Sequence, residues 1–190
     1  MTIESNTTQL NYILELVNKL PNKTTQSENS GIAVVFNDTE QISFVQSNIT
    51  DSINCIKSND NLILVGTDNS LYYSTDGINY TKSDNINTCV HCICYYDKWF
   101  VGTEDGLYIS EDGKTFEYFD DTATKQVYYD GNVLLMSTYE GVVYSDDLEV
   151  LHRSNLNLGV KSFTKIDGIL YATTNEKIYK SINGITWLTL

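Results

Sequence analysis

Beyond residue 52 the apolar positions fall in short runs with a period of two, such as Leu62-Ile63-Leu64-Val65 and Trp99-Phe100-Val101, and turn-forming residues close each run. That period and punctuation predict strands of about five residues. One stretch reads as strands over 90–95, 98–103, 106–110 and 115–119, with turns at Tyr96-Asp97, Glu104-Asp105 and Glu111-Asp112-Gly113. The first 50 residues have a different rhythm. Leu10, Ile13, Leu14, Val17 and Leu20 form one stripe of a short amphipathic helix, capped by Thr7 or Thr8 and stopped by Pro21. A polar stretch over 22–30 follows, and 31–47 predicts a hairpin of Ile32–Phe36 and Ile42–Val45 turning at Asn37-Asp38.

The strand pattern repeats. Val65–Ser74 aligns without a gap on Val101–Ser110, 36 residues later, and Met136–Ser145 and Ala172–Ser181 continue the series. Thr67, Thr103, Thr138 and Thr173 mark one recurring position; Tyr72, Tyr108, Tyr144 and Tyr179 mark another, read as packing between units. Four antiparallel strands in each unit of about 36 residues predict the blades of a β-propeller. A stacked β-solenoid uses shorter coils and fewer hairpins. The expected architecture is all-β: four complete four-stranded blades within 31–190, the 31–47 hairpin as a partial fifth blade or appendage, and 1–30 as a separate helix and linker.

The turn between the third and fourth strands is the most specific feature. It reads Ser74-Thr75-Asp76-Gly77-Ile78-Asn79-Tyr80, Ser110-Glu111-Asp112-Gly113-Lys114-Thr115-Phe116 and Ser181-Ile182-Asn183-Gly184-Ile185-Thr186-Trp187. An Asp or Asn side chain accepts turn amides, Gly permits positive φ, and a hydroxyl ties the hairpin ends. These segments resemble the Asp-box, or bacterial neuraminidase repeat, of the form Ser-x-Asp-x-Gly-x-Thr-Trp. The resemblance covers about 140 residues and implies a β-propeller. In it Ser74, Asp76, Gly77, Ser110, Asp112, Gly113, Ser181, Asn183 and Gly184 are structural turn residues set away from any catalytic face. Ser145-Asp146-Asp147-Leu148 has no Gly and no following aromatic, so the third hairpin is expected to be held differently. Families with this repeat include sialidases, other glycoside hydrolases and phage or bacterial propellers of unknown role. A sialidase needs three Arg around its substrate's carboxylate; this chain has Arg153 alone, which excludes that activity.

The net charge of −13, from 25 acids against eleven Lys and one Arg, removes the phosphate-neutralising stripe of a nucleic-acid binder and any affinity for anionic membrane. Met1-Thr2-Ile3-Glu4-Ser5-Asn6 lacks a secretory signal's basic start and apolar core, so the chain is read as made in the cytosol with reduced thiols. Cys89-Val90-His91-Cys92-Ile93-Cys94 has zinc-ligand residue types, and Cys55 aligns with His91 at the 36-residue offset. Strand alternation splits the cluster, however, placing Cys92 and Cys94 on one face and Cys89 and His91 on the other. Core packing is the preferred reading, with no metal and no cofactor. Glycoside hydrolysis requires two carboxylates at a suitable separation, but the prominent Asp residues occupy turns and no phosphate-cradling Gly loop is present, so no catalytic residue is assigned.

The non-repeating aromatics Tyr95, Tyr96, Tyr128, Tyr129 and Tyr139 lie in or near loops and strand ends and are the candidate ligand-facing residues. A helix of about 13 residues is marginal alone, so the stripe Leu10, Ile13, Leu14, Val17 and Leu20 is read as an attachment point. Thr8–Glu15 with Asn18-Lys19-Leu20-Pro21 resembles the N-terminal helices of phage tail, fibre and other virion proteins. That resemblance implies a phage or prophage structural component, made in the host cytoplasm and incorporated into the virion. Its partners would be other virion proteins or itself, with a host-surface glycan or protein as ligand. The alternative is a bacterial carbohydrate-binding or glycoside-hydrolysing propeller.

Overall fold

The structure, a computed structural model, describes residues 32–36 and 42–190, with backbone alone for 32–45. The helix expected near 8–20, its stripe Leu10, Ile13, Leu14, Val17 and Leu20, and the Asn37-Asp38 turn lie outside the described residues. An antiparallel hairpin of β1 (Ile32–Phe36) and β2 (Ile42–Gln46) precedes four antiparallel meanders. Blade 1 contains β3 (Ile53–Ser58), β4 (Ile63–Thr67), β5 (Leu71–Ser74) and β6 (Thr81–Lys82). Blade 2 contains β7 (Val90–Tyr95), β8 (Trp99–Thr103), β9 (Leu107–Ser110) and β10 (Glu117–Asp120). Blade 3 contains β11 (Gln126–Tyr129), β12 (Leu134–Ser137), β13 (Val142–Ser145) and β14 (His152–Arg153). Blade 4 contains β15 (Ser162–Ile166), β16 (Ile169–Thr173), β17 (Ile178–Ser181) and β18 (Leu188–Thr189). Over the described residues the chain is an all-β, small β-propeller of four complete blades. Among the described residues no helix is long and apolar enough to cross a membrane.

Strand register fixes which residues are equivalent. Ile63, Trp99, Leu134 and Leu170 pair with Ser74, Ser110, Ser145 and Ser181. Counting from these serines corrects two sequence alignments. The recurring threonine of blade 4 is Thr174, not Thr173: its hydroxyl bonds the Lys177 carbonyl, as Thr67, Thr103 and Thr138 bond those of Ser70, Gly106 and Gly141. Tyr144 pairs with Leu135, as Tyr73 does with Leu64, so it sits on the sheet face opposite Tyr72, Tyr108 and Tyr179. A shift of one residue along a strand exchanges faces.

The face of each blade that looks along the array carries Leu64, Leu71 and Tyr73 in blade 1, Phe100, Leu107 and Ile109 in blade 2, and Leu135, Val142 and Tyr144 in blade 3. Each meets the back of the next blade, from which Val90, Trp99 and Val101, then Leu134 and Met136, then Leu170, Ala172 and Trp187 complete three apolar seams. The core is thus divided between blades, and a blade alone cannot cover its own faces.

One recurring device ties the exit of an outer strand to the following blade at three places. Asn48, Asn85 and Asn155 follow β2, β6 and β14, and each donates to the carbonyl of the aromatic closing the next blade's outer turn: Tyr80 O at 2.8 Å, Phe116 O at 2.6 Å and Trp187 O at 3.1 Å. Asn48 and Asn155 also accept from the Tyr80 and Trp187 amides. Ser47-Asn48-Ile49 after β2 therefore corresponds to Ser154-Asn155-Leu156 after β14. In chain order, β1 and β2 stand where the outer hairpin of a preceding blade would.

The Ser-x-Asp-x-Gly turns share one network. Gly77, Gly113 and Gly184 donate to the preceding Ser hydroxyls at 2.9, 2.8 and 2.9 Å, while Asp76, Asp112 and Asn183 each accept two following amides. The three glycines have φ of 72°, 71° and 77°. The third turn, expected to be held differently, is held the same way. Leu148 N donates to Ser145 Oγ at 3.0 Å, Glu149 and Val150 amides bond Asp147, and Leu148 itself takes φ 59°. The Ser and Asp impose the turn, and the non-Gly residue accepts the strained backbone.

Candidate functional site

A meander puts its first and third turns at one end of the blade and its second turn at the other. The Ser-x-Asp-x-Gly turns therefore share an end with the β3–β4, β7–β8, β11–β12 and β15–β16 turns. At the opposite end, side chains near the start of each blade's first strand meet the residue that follows the recurring threonine: Asn54 bonds Asp68, His91 bonds Glu104 and Lys125 lies over the Tyr139 ring, while Lys161 and Asn175 line one groove. In blades 1 and 2 the pairing shifts between Ile53 and Cys55 and between Val90 and Cys92, leaving Asn54 and His91 as the extra residues of β-bulges. Cys55 and Cys92 are therefore equivalent, each opposite a Gly, which replaces the Cys55–His91 alignment read from the 36-residue offset.

Chemistry changes along this series while the scaffold repeats. Asn54 donates to Asp68 at 2.9 Å. Glu104 gathers Lys125 Nζ at 2.5 Å, His91 Nε2 at 2.7 Å and the Tyr139 hydroxyl at 3.0 Å. The Lys125 ammonium also lies 4.4 Å from the Tyr139 ring centroid. Hydrogen bonds from Lys125, His91 and Tyr139 hold the Glu104 carboxyl down at about 2. Burial would lower Lys125, but Glu104 and Tyr139 outweigh it and the ammonium ends above its ordinary value. The cluster, with its Lys125–Glu104 ion pair, is a bridge between blades 2 and 3.

Beside it, between blades 3 and 4, runs a groove of about 640 Å³. Lys125, Tyr139, Lys161, Asn175, Glu176, Lys177 and Tyr179 line it, with Leu158–Val160 along the link between the blades. With Lys125 already paired to Glu104, Lys161 and Lys177 against Glu176 leave the groove a small excess of positive charge on a chain of net charge −13. A smaller cavity of about 270 Å³ at the other end lies among Asp130, Tyr144, Lys165, Asn183 and Ile185. There Lys165 reaches the Asp130 carboxylate at 2.6 Å.

Of the tyrosines singled out by sequence, Tyr139 lines the groove and is 69% exposed. Tyr95 packs on Trp99 with centroids 4.5 Å apart, and Tyr129 packs on Phe100 at 4.8 Å, with the exposed Tyr96 edge-on at 6.0 Å. Tyr128 packs against the blade 3–4 seam, where burial and the Asp130 carboxylate push its hydroxyl up to about 12. Their places on a first strand or in the turn after it separate these four from Tyr139, which belongs to a second turn at the other blade end. The groove lysines were missed by sequence reading. For Lys125 and Lys161 the signal was the first-strand position level with the recurring threonine, Thr138 and Thr174, visible only once the strand register is set.

Among the described residues no three His, Cys, Asp or Glu side chains gather as a metal ligand set. Cys89 Sγ lies 3.7 Å from His91 Nδ1, whereas Cys92 is buried beside Gly102 and Thr124. The carboxyls displaced from their ordinary values, Asp76, Glu104, Asp112, Asp130 and Asp147, all move down. They favour the anion, whereas a glycosidase's general acid needs a raised value.

No protein-family model matches the sequence, and no curated protein does. Solved structures do match the fold. An ancestral GH74 enzyme is similar with a TM-score of 0.62 at 19% identity, over 72% of this chain and 24% of its own. The extracellular domain of a one-component system from B. thetaiotaomicron is similar with a TM-score of 0.62 at 17% identity, over 84% of this chain and 23% of its own. PorZ, a surface component of the type-IX secretion system of Porphyromonas gingivalis, follows with a TM-score of 0.56 at 14% identity, over 74% of this chain and 22% of its own. The chain spans about a quarter of each of these, and the likeness establishes the β-propeller fold.

Proposed function

We propose that this propeller is a non-catalytic binding module whose groove between blades 3 and 4 takes an acidic carbohydrate. The observation that carries the reading is the convergence of Lys125, Lys161 and Lys177 beside the exposed Tyr139 on an otherwise acidic chain. Ammonium groups meet carboxylate or sulfate substituents, Asn175 and Glu176 meet hydroxyls, and the tyrosine ring offers an apolar sugar face a stacking surface. Absence of a catalytic role is supported by the downward-shifted carboxyls, and the propeller enzyme and extracellular sensor among the structural neighbours support a binding scaffold of this kind.

The setting we propose is a phage or prophage particle, made in the host cytoplasm, where residues 1–30 attach the propeller to other virion proteins and the groove meets a host-surface glycan. This setting is supported by the resemblance of Thr8–Pro21 to virion-protein helices. Titration calorimetry with uronic-acid and neutral oligosaccharides tests the binding. The acidic series should bind, weaken with salt, and lose at least tenfold in affinity in Lys161→Glu/Lys177→Glu, with folding unchanged. Indifference to those substitutions overturns the groove assignment, and release of reducing ends overturns the non-catalytic reading in favour of glycoside hydrolysis. Mass spectrometry of purified particles tests the virion setting.

A further inference from the structure

The Glu104 cluster contains a triangle whose three sides cannot all be made in one protonation state. His91 Nε2 lies 2.7 Å from Glu104 Oε2 and 2.7 Å from Lys125 Nζ, and Lys125 Nζ is itself 2.5 Å from the same Oε2. A ring nitrogen without a proton accepts from the ammonium and has nothing to donate to the carboxylate. A protonated one donates to the carboxylate and sets its own N–H against those of the lysine. Each state therefore satisfies one of the two contacts at Nε2 and opposes the other.

The groups around the ring decide which partner yields. Nδ1 faces Cys89 Sγ at 3.7 Å, and burial and the Asp68 carboxylate push that thiol up. Asn54 of blade 1 donates both to this sulfur, at 3.6 Å, and to Asp68. On the other side, hydrogen bonds hold Glu104 as an anion at about 2, Lys125 stays an ammonium, and the Tyr139 hydroxyl occupies the second carboxylate oxygen at 3.0 Å. His91 is thus the member of the triangle whose charge changes, as histidine ordinarily does between about pH 5 and about pH 8. Its ring is carried on a short stem from the β7 bulge, whereas the Lys125 ammonium ends a flexible four-carbon chain. That ammonium already lies 4.4 Å from the Tyr139 ring centroid, and both residues line the groove. When two cations meet at one carboxylate here, the lysine has somewhere to go.

We infer that His91 is a proton-operated switch on the groove between blades 3 and 4: its protonation passes Glu104 from Lys125 to His91 and releases the Lys125 ammonium to the groove, which then holds acidic ligands more tightly. In the uncharged state the ring proton sits on Nδ1, toward Cys89, and Lys125 bridges Nε2 and Oε2. In the charged state both ring nitrogens carry protons, Nε2 donates to Oε2, and Lys125 joins Lys161 and Lys177 in the groove. The charge gained at His91 is thereby expressed at the ligand. The consequence for binding rests on the reading of the groove as an acidic-carbohydrate site; the exchange of partners at Glu104 does not.

The test uses the full chain. Nitrogen-15 spectra of the imidazole should put the His91 ring proton on Nδ1 at about pH 8 and on both nitrogens at about pH 5. Over the same change the nuclear Overhauser contact between the Lys125 ε-methylene and the His91 ring should be lost, and that with the Tyr139 ring kept. Calorimetry with uronic-acid oligosaccharides should show on the order of tenfold tighter binding at the lower pH, the scale of one added charge-assisted hydrogen bond. His91→Gln, with the far-UV spectrum of the folded protein, should bind equally at both. A ring proton on Nε2 alone at the higher pH overturns the inference. So does a Lys125–His91 contact that persists at the lower pH, or a pH dependence of binding that survives in His91→Gln. The expected spectra with binding at neither pH would support the exchange of partners and overturn the carbohydrate reading of the groove.

Discussion

The turn residues show how one atom's surroundings decide a substitution. Gly77 and Gly113 have nearly the same φ, yet a Cβ on Gly77 meets only Ile63 at 3.4 Å while a Cβ on Gly113 falls 2.4 Å from Leu62 and 2.8 Å from the Trp99 ring nitrogen. Gly77→Ala should cost about 1–2 kcal/mol from backbone strain. Gly113→Ala should cost about 1–3 kcal/mol more from overpacking, read as the difference in urea midpoints at unchanged m. Leu148 inverts the ordinary ranking: already at φ 59° and packed on the blade 2–3 seam, it should be destabilised less by Gly than by Ala, because Gly returns the strain that Ala retains. The pH dependence follows from the same scale. Glu104 and Asp147 are held at about 2 in the folded chain, the first chiefly by Lys125 and the second by the Val150 and Glu149 amides. Their contribution is complete above the unfolded carboxylate range near 4.5 and is lost as pH falls toward 2, so the melting temperature should drop through that window. Glu104→Gln should flatten part of that drop. The Ser, Asp and Gly of three turns were legible as letters. The Leu148 turn was not, because the missing Gly was weighed as a change of structure when the retained Ser145 and Asp147 had enough hydrogen bonds to impose it.

At the scale of the element, the Asn clamps join a blade's exit to the next blade's outer turn and so hold neighbours that share no strand pairing. Asn155 exchanges two hydrogen bonds with the partly buried backbone of Trp187, whereas Asn48 makes the same two with the exposed backbone of Tyr80. Asn155→Ala should therefore cost about 1–3 kcal/mol and Asn48→Ala about 0.5–1.5 kcal/mol in chemical denaturation. Existence and order of the strands were legible because a period of two and a 36-residue repeat speak directly of hairpins. Register was less so: the repeat is 36 residues between Ser74 and Ser110 but 35 between Ser110 and Ser145, and counting by tyrosines carried Tyr144 across the sheet. Bulges at Asn54 and His91 did the same to the cysteines, since an extra residue in a strand leaves no trace in composition.

For the whole molecule, the four-blade count was legible, but the groove was not, since it is assembled from a first strand, a second turn and a link that no linear motif unites. The seams have one more consequence, through their sulfur atoms. Burial raises the Cys55 thiol to about 11 and raises Cys92 and Cys94 as well, so at neutral pH almost none of the reactive thiolate is present in the folded chain. Cys55 packs against the seam between blades 1 and 2, and Cys94 against that between blades 2 and 3. Each is therefore a built-in clock for the parting of its own seam: in native chain exposed to iodoacetamide, the alkylation rate at each peptide reports how often those two blades separate. Equal rates at Cys55 and Cys94 would mean that the array opens as one body, and unequal rates would name the joint that yields first.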